Sequence, residues 1–531
     1  MSSYKKIKND IVVDGLFALL VAANLIIGFL LVVHIPYSYP FGGPDELMHL
    51  SMAEYIAKHL SWPNWDSKEV VRNAYGVSYS AGGSIVYWLH GLTYKIFGHH
   101  RIGAFMLLML YLVLSVFFYR KNKLSGFLLL AALFPQTLFI FSYVNSDSGT
   151  IISALLMGMG VALFLVGNRS IKNMLLFFLF AGFAVTARQH LWAIAFVTFI
   201  WALMYNRKVL LGYNKKAWLY AFLIGLLPAS WWFITSYFAN DGDLLGVFTN
   251  AKSIAKFSQG DLPSLSREWH DISTIDFFSE TFKSLYANWG WLAFGLDVYA
   301  YVCVGILVFV IMAISARYID KKIFIFLIVL VLINLGFMLV YSTFYDYQAQ
   351  GRYLFPSLYI IIGILATIFT IQKVDSKPLL IMLILLSTLN TACSTKLLMT
   401  SYMDMFIEKP VRWHPKTIEF DNNAVHHIDQ VDMIGGKVLV RGWIYDGKNG
   451  KVFDDVYLVF KQNGKYYKAA LDQEKRPDVA RVFNNPKLVP SGFSAKMIDV
   501  GSLEKGAYHI LIGVSKDNKI GLVDPKIPFK L

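Results

Sequence analysis

The sequence predicts a polytopic α-helical membrane protein of about eleven transmembrane helices, followed by a C-terminal β-sandwich outside the membrane. Of its 531 residues, 56% are hydrophobic, and the mean hydropathy is +0.49. These residues are gathered in apolar blocks long enough to cross a bilayer. The net charge of +14 lies mostly in short segments between the blocks, which is typical of membrane topology and does not indicate nucleic-acid binding.

The apolar blocks define the candidate spans. The first follows Lys5, Lys6 and Lys8 and has no small-residue cleavage site after it, so we expect a retained helix with a cytoplasmic N-terminus. The pair 173–187 and 190–205 is short, and one broken or re-entrant element is an alternative for it. The candidates are 11–33, 102–119, 124–143, 149–167, 173–187, 190–205, 217–237, 299–316, 323–343, 353–372 and 378–396.

Lysine and arginine mark the two sides of this arrangement. The loops expected inside carry clusters such as Arg120, Lys121 and Lys123, whereas the short outside loops, around Asn145 and Arg352, carry far fewer positive charges. The asymmetry satisfies the positive-inside rule at every crossing. It predicts a multi-pass membrane protein with a cytoplasmic N-terminus and an extracytoplasmic C-terminal domain.

Two outer loops are long, at 34–101 and 238–298, and long structured loops on one face usually carry function. The first contains a predicted amphipathic helix at Glu46–Leu60 and a segment at Gly82–Phe97 suited to the membrane interface. The second contains tryptophans suited to an interfacial belt or a substrate groove, namely Trp269, Trp289 and Trp291.

Residues 1–400 form the predicted membrane domain, 401–424 a linker, and 425–531 the β-sandwich. In this last segment apolar and polar residues alternate, and Gln462-Asn463-Gly464 is a hairpin turn signal. For Trp443, in one of these strands, a core position is favoured over a sugar-binding platform.

Two adjacent carboxylates, Asp45 and Glu46, follow a Gly-Gly-Pro turn directly after the first span. A membrane enzyme that transfers a sugar to a hydroxyl needs a base for the hydroxyl proton, and Asp45 is the candidate. Glu46 would orient the acceptor or support Asp45, and His49, one helical turn later, would hydrogen-bond to Asp45. Taken alone, however, the pair is better explained as a helix N-cap and a first-turn acid.

Three further charged residues are predicted on the same face. Arg352, in Gln350-Gly351-Arg352-Tyr353, would bind a phosphate bidentately or snorkel to lipid headgroups, and position alone favours neither. Arg188 is a second phosphate partner or a helix-end charge. Asp147 takes part in the site or caps the following helix, the cap being favoured.

Four short motifs occur in order along residues 1–400: Pro44-Asp45-Glu46-x-x-His49, Val144-Asn145-Ser146-Asp147, Asn288-Trp289-Gly290-Trp291 and Gln350-Gly351-Arg352-Tyr353-x-x-Pro356. Together they resemble those of a bacterial family of multi-spanning membrane proteins in the GT-C glycosyltransferase superfamily, which implies a location in the bacterial plasma membrane. The resemblance covers most of residues 1–400, and the C-terminal segment resembles a β domain that recurs in surface-polysaccharide enzymes.

The resemblance implies that a polyprenyl-phosphate-linked sugar enters from the bilayer and is transferred with inversion to a glycan acceptor outside the cell. The acceptor would be a surface polysaccharide, a teichoic acid or a lipid-linked glycan. Asp45 would be the base with Glu46 in support, while Arg352 would hold the phosphate. A divalent cation is used by some members of the superfamily and stays open here. The other residues expected to bind substrate are His49, Asp147, Arg188, Trp289, Trp291, Gln350 and Tyr353.

Two other functions remain open from the sequence. A transporter or flippase of a lipid-linked glycan would place charged residues at mid-membrane, and the predicted spans contain almost none. A non-catalytic scaffold of polysaccharide assembly, with the β domain binding partners, is the second alternative.

Overall fold

The structure is a computed structural model. It divides into two compact units, Met1–Leu397 and Leu398–Leu531, which we call the membrane unit and the β unit. It describes residues 2–530 apart from 36, 38–41, 44, 73–75, 77, 81–82, 168–169, 208–211, 245, 258–273, 290–294, 345–348, 404–409, 414–418, 421–422, 435–436, 475, 495–497, 501–502 and 517–518.

The membrane unit is built of helices. Short 3₁₀ turns at Ala316–Tyr318 and Gly351–Leu354 join some of them. The α-helices are α1 (Ser2–His34), α2 (Glu46–His59), α3 (Val86–Phe97), α4 (Ile102–Lys121), α5 (Lys123–Ala131), α6 (Pro135–Ile140), α7 (Asp147–Val166), α8 (Ile171–Val185), α9 (His190–Tyr205), α10 (Lys215–Ala239), α11 (Val247–Phe257), α12 (Thr274–Tyr286), α13 (Val298–Ser315), α14 (Lys321–Phe344), α15 (Phe355–Ile371) and α16 (Lys377–Leu397).

In the described part of the chain, eight helices are long and apolar enough to cross a membrane: α1, α4, α7, α10 and α13 to α16. The other predicted spans correspond to the shorter apolar helices α8 and α9 and to the pair α5 and α6. This pair is interrupted before Pro135, which lies in the first turn of α6, where the missing proline N–H costs no helical hydrogen bond. The predicted fold class, a polytopic helical membrane protein with a C-terminal β region, is confirmed.

The alternation of these helices brings several chain segments to one end of the bundle. Each apolar helix reverses the direction of the one before it, so α1 ends where α4, α7, α9 and α15 begin. The parallel helices α7 and α15 pack closely, since a Cβ at Gly158 would lie 2.1 Å from the carbonyl oxygen of Ile360. The first residue of α7 therefore lies beside the turn that precedes α15. We call this end of the bundle the site end.

The long loops meet at the site end. The first contains α2, close to the predicted Glu46–Leu60 helix, and α3, inside the predicted Gly82–Phe97 segment; the second contains α11 and α12. Helices α2 and α3 pack on each other through a cluster that includes Met52, Ile56 and Tyr87. The loops are thus partly folded and supply side chains to one region.

The β unit contains two sheets. One has the strand order β1-β6-β5-β10-β11-β2, and the other has β3-β4-β8-β7 with β9 beside β4. The strands are β1 (Val411–Trp413), β2 (Glu419–Phe420), β3 (Ala424–Ile434), β4 (Lys437–Asp446), β5 (Asp455–Gln462), β6 (Lys465–Ala470), β7 (Asp472–Glu474), β8 (Gly492–Ser494), β9 (Ile498–Asp499), β10 (Ala507–Lys516) and β11 (Lys519–Lys530), with a helix α17 (Pro477–Val482) between β7 and β8.

One core joins the two sheets. Val440 and Ile444 of the second sheet share a buried cluster with Phe460 and Ile512 of the first, as in a β-sandwich. The segment 401–424, which we predict as a linker, contributes β1 and β2 to the first sheet. These strands are too short to show an alternating pattern, which is why the sequence does not reveal them. Trp443 is partly buried against Tyr445, in a small apolar cluster.

Candidate functional site

Asp45 is positioned by backbone geometry and by a hydrogen bond, and it does not cap a helix. Its backbone has φ 58° and ψ 15°, and its side chain makes no capping hydrogen bond to α2. The hydroxyl of Tyr79 instead donates to Asp45 Oδ2 at 2.9 Å. The capping interpretation, which the sequence alone favours, is therefore wrong. Aspartate is among the few residues that tolerate this left-handed conformation.

Gly43 allows the turn before Asp45 to pack closely. A Cβ at this position would lie 2.0 Å from the ring of Tyr143, which is buried at the site end. Any larger residue would push the turn away from the bundle. The glycine therefore helps to set the position of Asp45.

Tyr79 is the central residue that the sequence analysis misses. Besides its bond to Asp45, its ring stacks on His49 with centroids 4.0 Å apart. The Arg188 guanidinium carbon lies 5.6 Å from the centroid of the same ring. Burial raises the pKa of the Tyr79 hydroxyl above its usual range, so the hydroxyl stays protonated and donates to Asp45. Only its place in a long outer loop could have indicated a role.

His49 supports the positions of Tyr79 and Asp45. Its Nδ1 shares a hydrogen bond with the Tyr87 hydroxyl, and its backbone N–H donates to the Asp45 carbonyl oxygen at 3.2 Å. Burial, with a smaller effect of Arg188, holds the pKa of His49 well below its usual range. The expected bond from its ring to the Asp45 side chain is absent from the described contacts. His49 is thus a neutral support for Tyr79.

Glu46 is engaged in a buried ion pair with Arg101. Both guanidinium contacts, Nε to Oε1 and Nη2 to Oε2, measure 2.7 Å, and the Val144 N–H donates to Oε1 at 3.1 Å. Glu46 is 1% exposed, and Arg101 also donates to carbonyl oxygens of Val32 and Ile35 at the end of α1. The predicted role of Glu46, to orient the acceptor or to support Asp45, is therefore corrected to a role in positioning chain segments. Its carboxylate joins α1, α2 and the loop before α7.

Asp147, Arg188 and Arg352 form an ion cluster. Arg188 Nη1 lies 2.8 Å from Asp147 Oδ1, and Arg352 Nη1 lies 3.7 Å from Asp147 Oδ2. Asp147 does not cap α7 either, because the Asn145 side chain accepts the Ser148 N–H at 2.8 Å and satisfies that helix end. Three residues far apart in sequence are thus brought together by the starts of α7, α9 and α15.

The ion cluster is suited to an anionic ligand. Two guanidinium groups face one carboxylate, so the cluster carries a net charge of +1. Arg352 Nε, Asp147 Oδ2 and Ser146 Oγ are buried without a hydrogen-bond partner in the described part of the chain. Buried polar atoms normally have partners, and an anion with several oxygens would satisfy the unpaired donors.

A cavity of about 610 Å³ lies beside the cluster. Its lining includes the polar side chains of Tyr79, Ser146 and Arg188 and the apolar side chains of the α14 residues Phe337 and Val340. Of the ion cluster, Arg188 lines the cavity, whereas Asp147 and Arg352 are not among the lining residues and contact it through Arg188 and Tyr353. Asp45 does not line the cavity either and is linked to it through Tyr79. Phe337 and Val340 are half exposed on the outside of the bundle. The cavity therefore joins a charged end to an apolar, lipid-facing side.

The remaining predicted site residues differ in whether they line the cavity. Tyr353 lines the cavity, and the Arg352 guanidinium carbon lies 5.4 Å from its ring centroid. Gln350 is not among the lining residues, and its carbonyl oxygen accepts the Tyr353 N–H at 3.1 Å. Trp289 is fully buried, and its Nε1 donates to the Pro135 carbonyl oxygen at 2.9 Å. The predicted groove role of Trp289 is therefore wrong, because it is a packing residue. Trp291 lies outside the described residues.

The donor set of the site does not fit a divalent cation. Asp147 is already paired with Arg188, and the two arginines would repel a metal ion. Within the described ranges, no group of three His, Cys, Asp or Glu side chains is arranged to hold a metal.

Residues 77–361, more than half of the chain, match a family described as predicted membrane protein (DUF2142). No curated protein sequence matches the chain. Among solved structures, the chain is similar to ArnT from Cupriavidus metallidurans bound to undecaprenyl phosphate, with a TM-score of 0.43 and 14% identity. The match covers 68% of this chain and 61% of the ArnT chain, so the chain spans about three fifths of that protein.

Proposed function

This chain belongs to the DUF2142 family of predicted membrane proteins, and we propose that it is a GT-C-type glycosyltransferase with a polyprenyl-phosphate-linked sugar as donor. The observation that carries the proposal is the net-positive ion cluster of Arg188, Asp147 and Arg352, beside a cavity that Arg188 lines together with apolar residues of α14. A lipid phosphate has this distribution of charge and hydrophobicity.

The donor would bind with its phosphate at the cluster and its isoprenoid chain along α14. Arginine binds phosphate oxygens in pairs, and Arg352 Nε is a buried donor without a described partner. The half-exposed Phe337, Val340 and Tyr341 would let the chain enter sideways from the bilayer. The net charge of +1 matches the single negative charge of a sugar phosphodiester.

The reaction would be a direct displacement. The acceptor hydroxyl oxygen attacks the anomeric carbon while the bond from that carbon to the phosphate oxygen breaks, which inverts the configuration. Asp45 takes the hydroxyl proton, and the electron pair leaves with the phosphate oxygen. The second negative charge that develops on the phosphate is stabilised by Arg188 and Arg352. Tyr79 holds the Asp45 carboxylate in place.

We also propose an extracytoplasmic site in a bacterial plasma membrane. In the short connections between the apolar helices, lysines and arginines are concentrated at the end opposite the cluster, for example Arg120 and Lys121 at the end of α4, which favours the site end as the outer one. The acceptor would then be a surface polysaccharide, a teichoic acid or a lipid-linked glycan, reached from outside the cell.

Asp45→Asn tests the base assignment. Transfer of labelled sugar from polyprenyl-phosphate donors by the purified full chain should fall by about 10²- to 10⁴-fold, the usual contribution of a general base. Asp66→Asn, which changes an exposed carboxylate in the same loop, should leave transfer unchanged. Both assays include a chelator, since no step is assigned to a metal. Full activity of Asp45→Asn would refute the base role.

The same preparation separates this function from transport. Each member of the ion cluster lies at a helix end, because Asp147 begins α7, Arg188 precedes α9 and Arg352 precedes α15. A transport site would need charges near mid-membrane. In vesicles we expect new glycosidic bonds. Movement of the labelled lipid between leaflets without such bonds would favour a flippase.

A further inference from the structure

Helix α11 has the reverse orientation of an ordinary surface helix. Two of its uncharged polar residues face the protein: the Thr249 hydroxyl donates to the Asp243 carboxylate at 3.1 Å, and the Ser253 hydroxyl donates to the Gly76 carbonyl oxygen. Its apolar residues point outward, with Phe248 74% and Ile254 45% exposed. A helix facing water would bury these apolar residues and expose the polar ones.

The outward face of α11 continues the lipid-facing surface of α10. Only residues 240–246 separate the membrane-spanning α10 from α11, so α11 begins at the boundary of the bilayer. Phe238, at the end of α10, and Leu244, in the connection, are exposed as well. Exposed apolar side chains are therefore found on the spanning helix, in the connection and on α11.

The charge of this face indicates its partner. Lys252 lies on the outward side, is exposed, and has no partner in the part of the chain that the structure describes. Lys256, by contrast, lies 3.7 Å from Asp66. We infer that α11 lies in the membrane surface at the site end, with Phe248 and Ile254 among the lipid chains and Lys252 against anionic phospholipid headgroups.

The inner face of the same helix connects this surface to the cavity. Asn250 lines the cavity, and Ser253 holds Gly76, which lies three residues before Tyr79. The position of α11 in the membrane therefore determines the position of one part of the cavity lining. This inference goes beyond the proposed reaction, and it holds or fails whatever the chemistry of the site.

Accessibility of a spin label tests the inference. The full chain is reconstituted in nanodiscs with a nitroxide at Phe248→Cys or Ile254→Cys, in a Cys303→Ser background because Cys303 is exposed whereas Cys393 is buried. Labels at Phe309→Cys, on the exposed side of α13, and at Lys68→Cys, in an exposed loop, mark lipid and water. The rates at which each nitroxide collides with oxygen and with a nickel chelate measure the depth of that label in the membrane.

At position 248 we expect the oxygen-rich, nickel-poor accessibility of the label at 309, with nickel access lower in anionic than in zwitterionic discs. Lys252→Gln should remove that dependence on lipid charge. Accessibility equal to that at 68 would overturn the inference. So would shielding from both reagents, which would indicate that the label is buried against protein. An accessibility at 248 that resembles the label at 309 but does not change with lipid charge would overturn the assignment of anionic lipid as the partner.

Discussion

The hydroxyl of Tyr79 is the group that holds the proposed base, and it can be removed without changing the shape of the ring. Tyr79→Phe deletes its hydrogen bond to Asp45 Oδ2 and leaves the stacking on His49 in place. A hydrogen bond to a charged group is worth about 1.5–3 kcal/mol. We therefore expect the rate of sugar transfer to fall by about 10- to 100-fold.

Tyr55→Phe is the matched control for Tyr79→Phe, since Tyr55 packs on His59 in the same loop. It should leave transfer unchanged. Because the phosphate site is intact in both variants, the affinity for the lipid donor should not change. A loss of affinity with an unchanged rate at saturation would contradict the role assigned to Tyr79.

Two buried neutral histidines make the fold sensitive to acid. Burial lowers the pKa of His90 to about 4, and it also holds the pKa of His49 well below the usual range. In the unfolded chain both groups titrate near about 6.5. The unfolded state then binds more protons below that pH, so stability falls as the pH decreases from about 6.5 toward 4.

The apparent melting temperature in detergent checks this sign. It should decrease between pH 7 and pH 5, where each histidine contributes up to about 1.4 kcal/mol per pH unit. The decrease should be smaller in His49→Gln/His90→Gln, measured relative to the value of that variant at pH 7. A melting temperature that rises on acidification would contradict the burial of neutral histidines.

At the scale of single residues, the sequence identifies charged residues of the site more readily than the residues that contact them. Arg188, Asp147 and Arg352 are candidates because charges are rare near apolar helices, and the structure brings them together. Tyr79 and Arg101 give no such signal, since a tyrosine or an arginine in a long polar loop is common. Glu46 and Trp289 are misassigned because their burial depends on tertiary contacts that no local pattern contains.

At the scale of elements, the buried ion pair of Glu46 and Arg101 fixes α2 to α1 and α4. Removing one partner leaves an unpaired buried charge, which costs about 3–5 kcal/mol. Glu46→Gln and Arg101→Met should each lower the apparent melting temperature strongly. The apparent melting temperature of the double variant should fall by much less than the sum of the two single decreases, because neither charge is then left without its partner.

This double-mutant cycle is measured by thermal unfolding of the unaltered protein, the two single variants and the double variant in one detergent. The exposed pair of Lys58 and Glu69 provides a matched control, for which surface coupling of at most about 1 kcal/mol is expected. Additive losses for Glu46 and Arg101 would mean that the pair does not hold the elements together.

The helices were predictable because their signal is local. Apolar length and the positive-inside asymmetry locate the spans, and the amphipathic pattern at Glu46–Leu60 corresponds to α2. The break between α5 and α6 has a local signal in Pro135, which a single predicted span at 124–143 overlooks. The strands β1 and β2 were not predictable, because they depend on edge pairing with strands distant in sequence.

At the scale of the whole molecule, the fold serves to bring helix ends together. The starts of α7, α9 and α15 supply the ion cluster, the first outer loop supplies Asp45 and Tyr79, and α14 supplies the apolar wall of the cavity. No one of these elements could form the site alone. The central claim of the account is that this end of the bundle binds a lipid phosphate.

Binding of polyprenyl phosphate to the purified full chain tests that claim most directly. We predict saturable binding that weakens about 10- to 100-fold in Arg352→Gln, since a charged hydrogen-bonding partner of the phosphate is lost. Lys95→Gln, which removes an exposed lysine of α3, should bind like the unaltered protein. Equal affinity of Arg352→Gln and the unaltered protein would contradict the account.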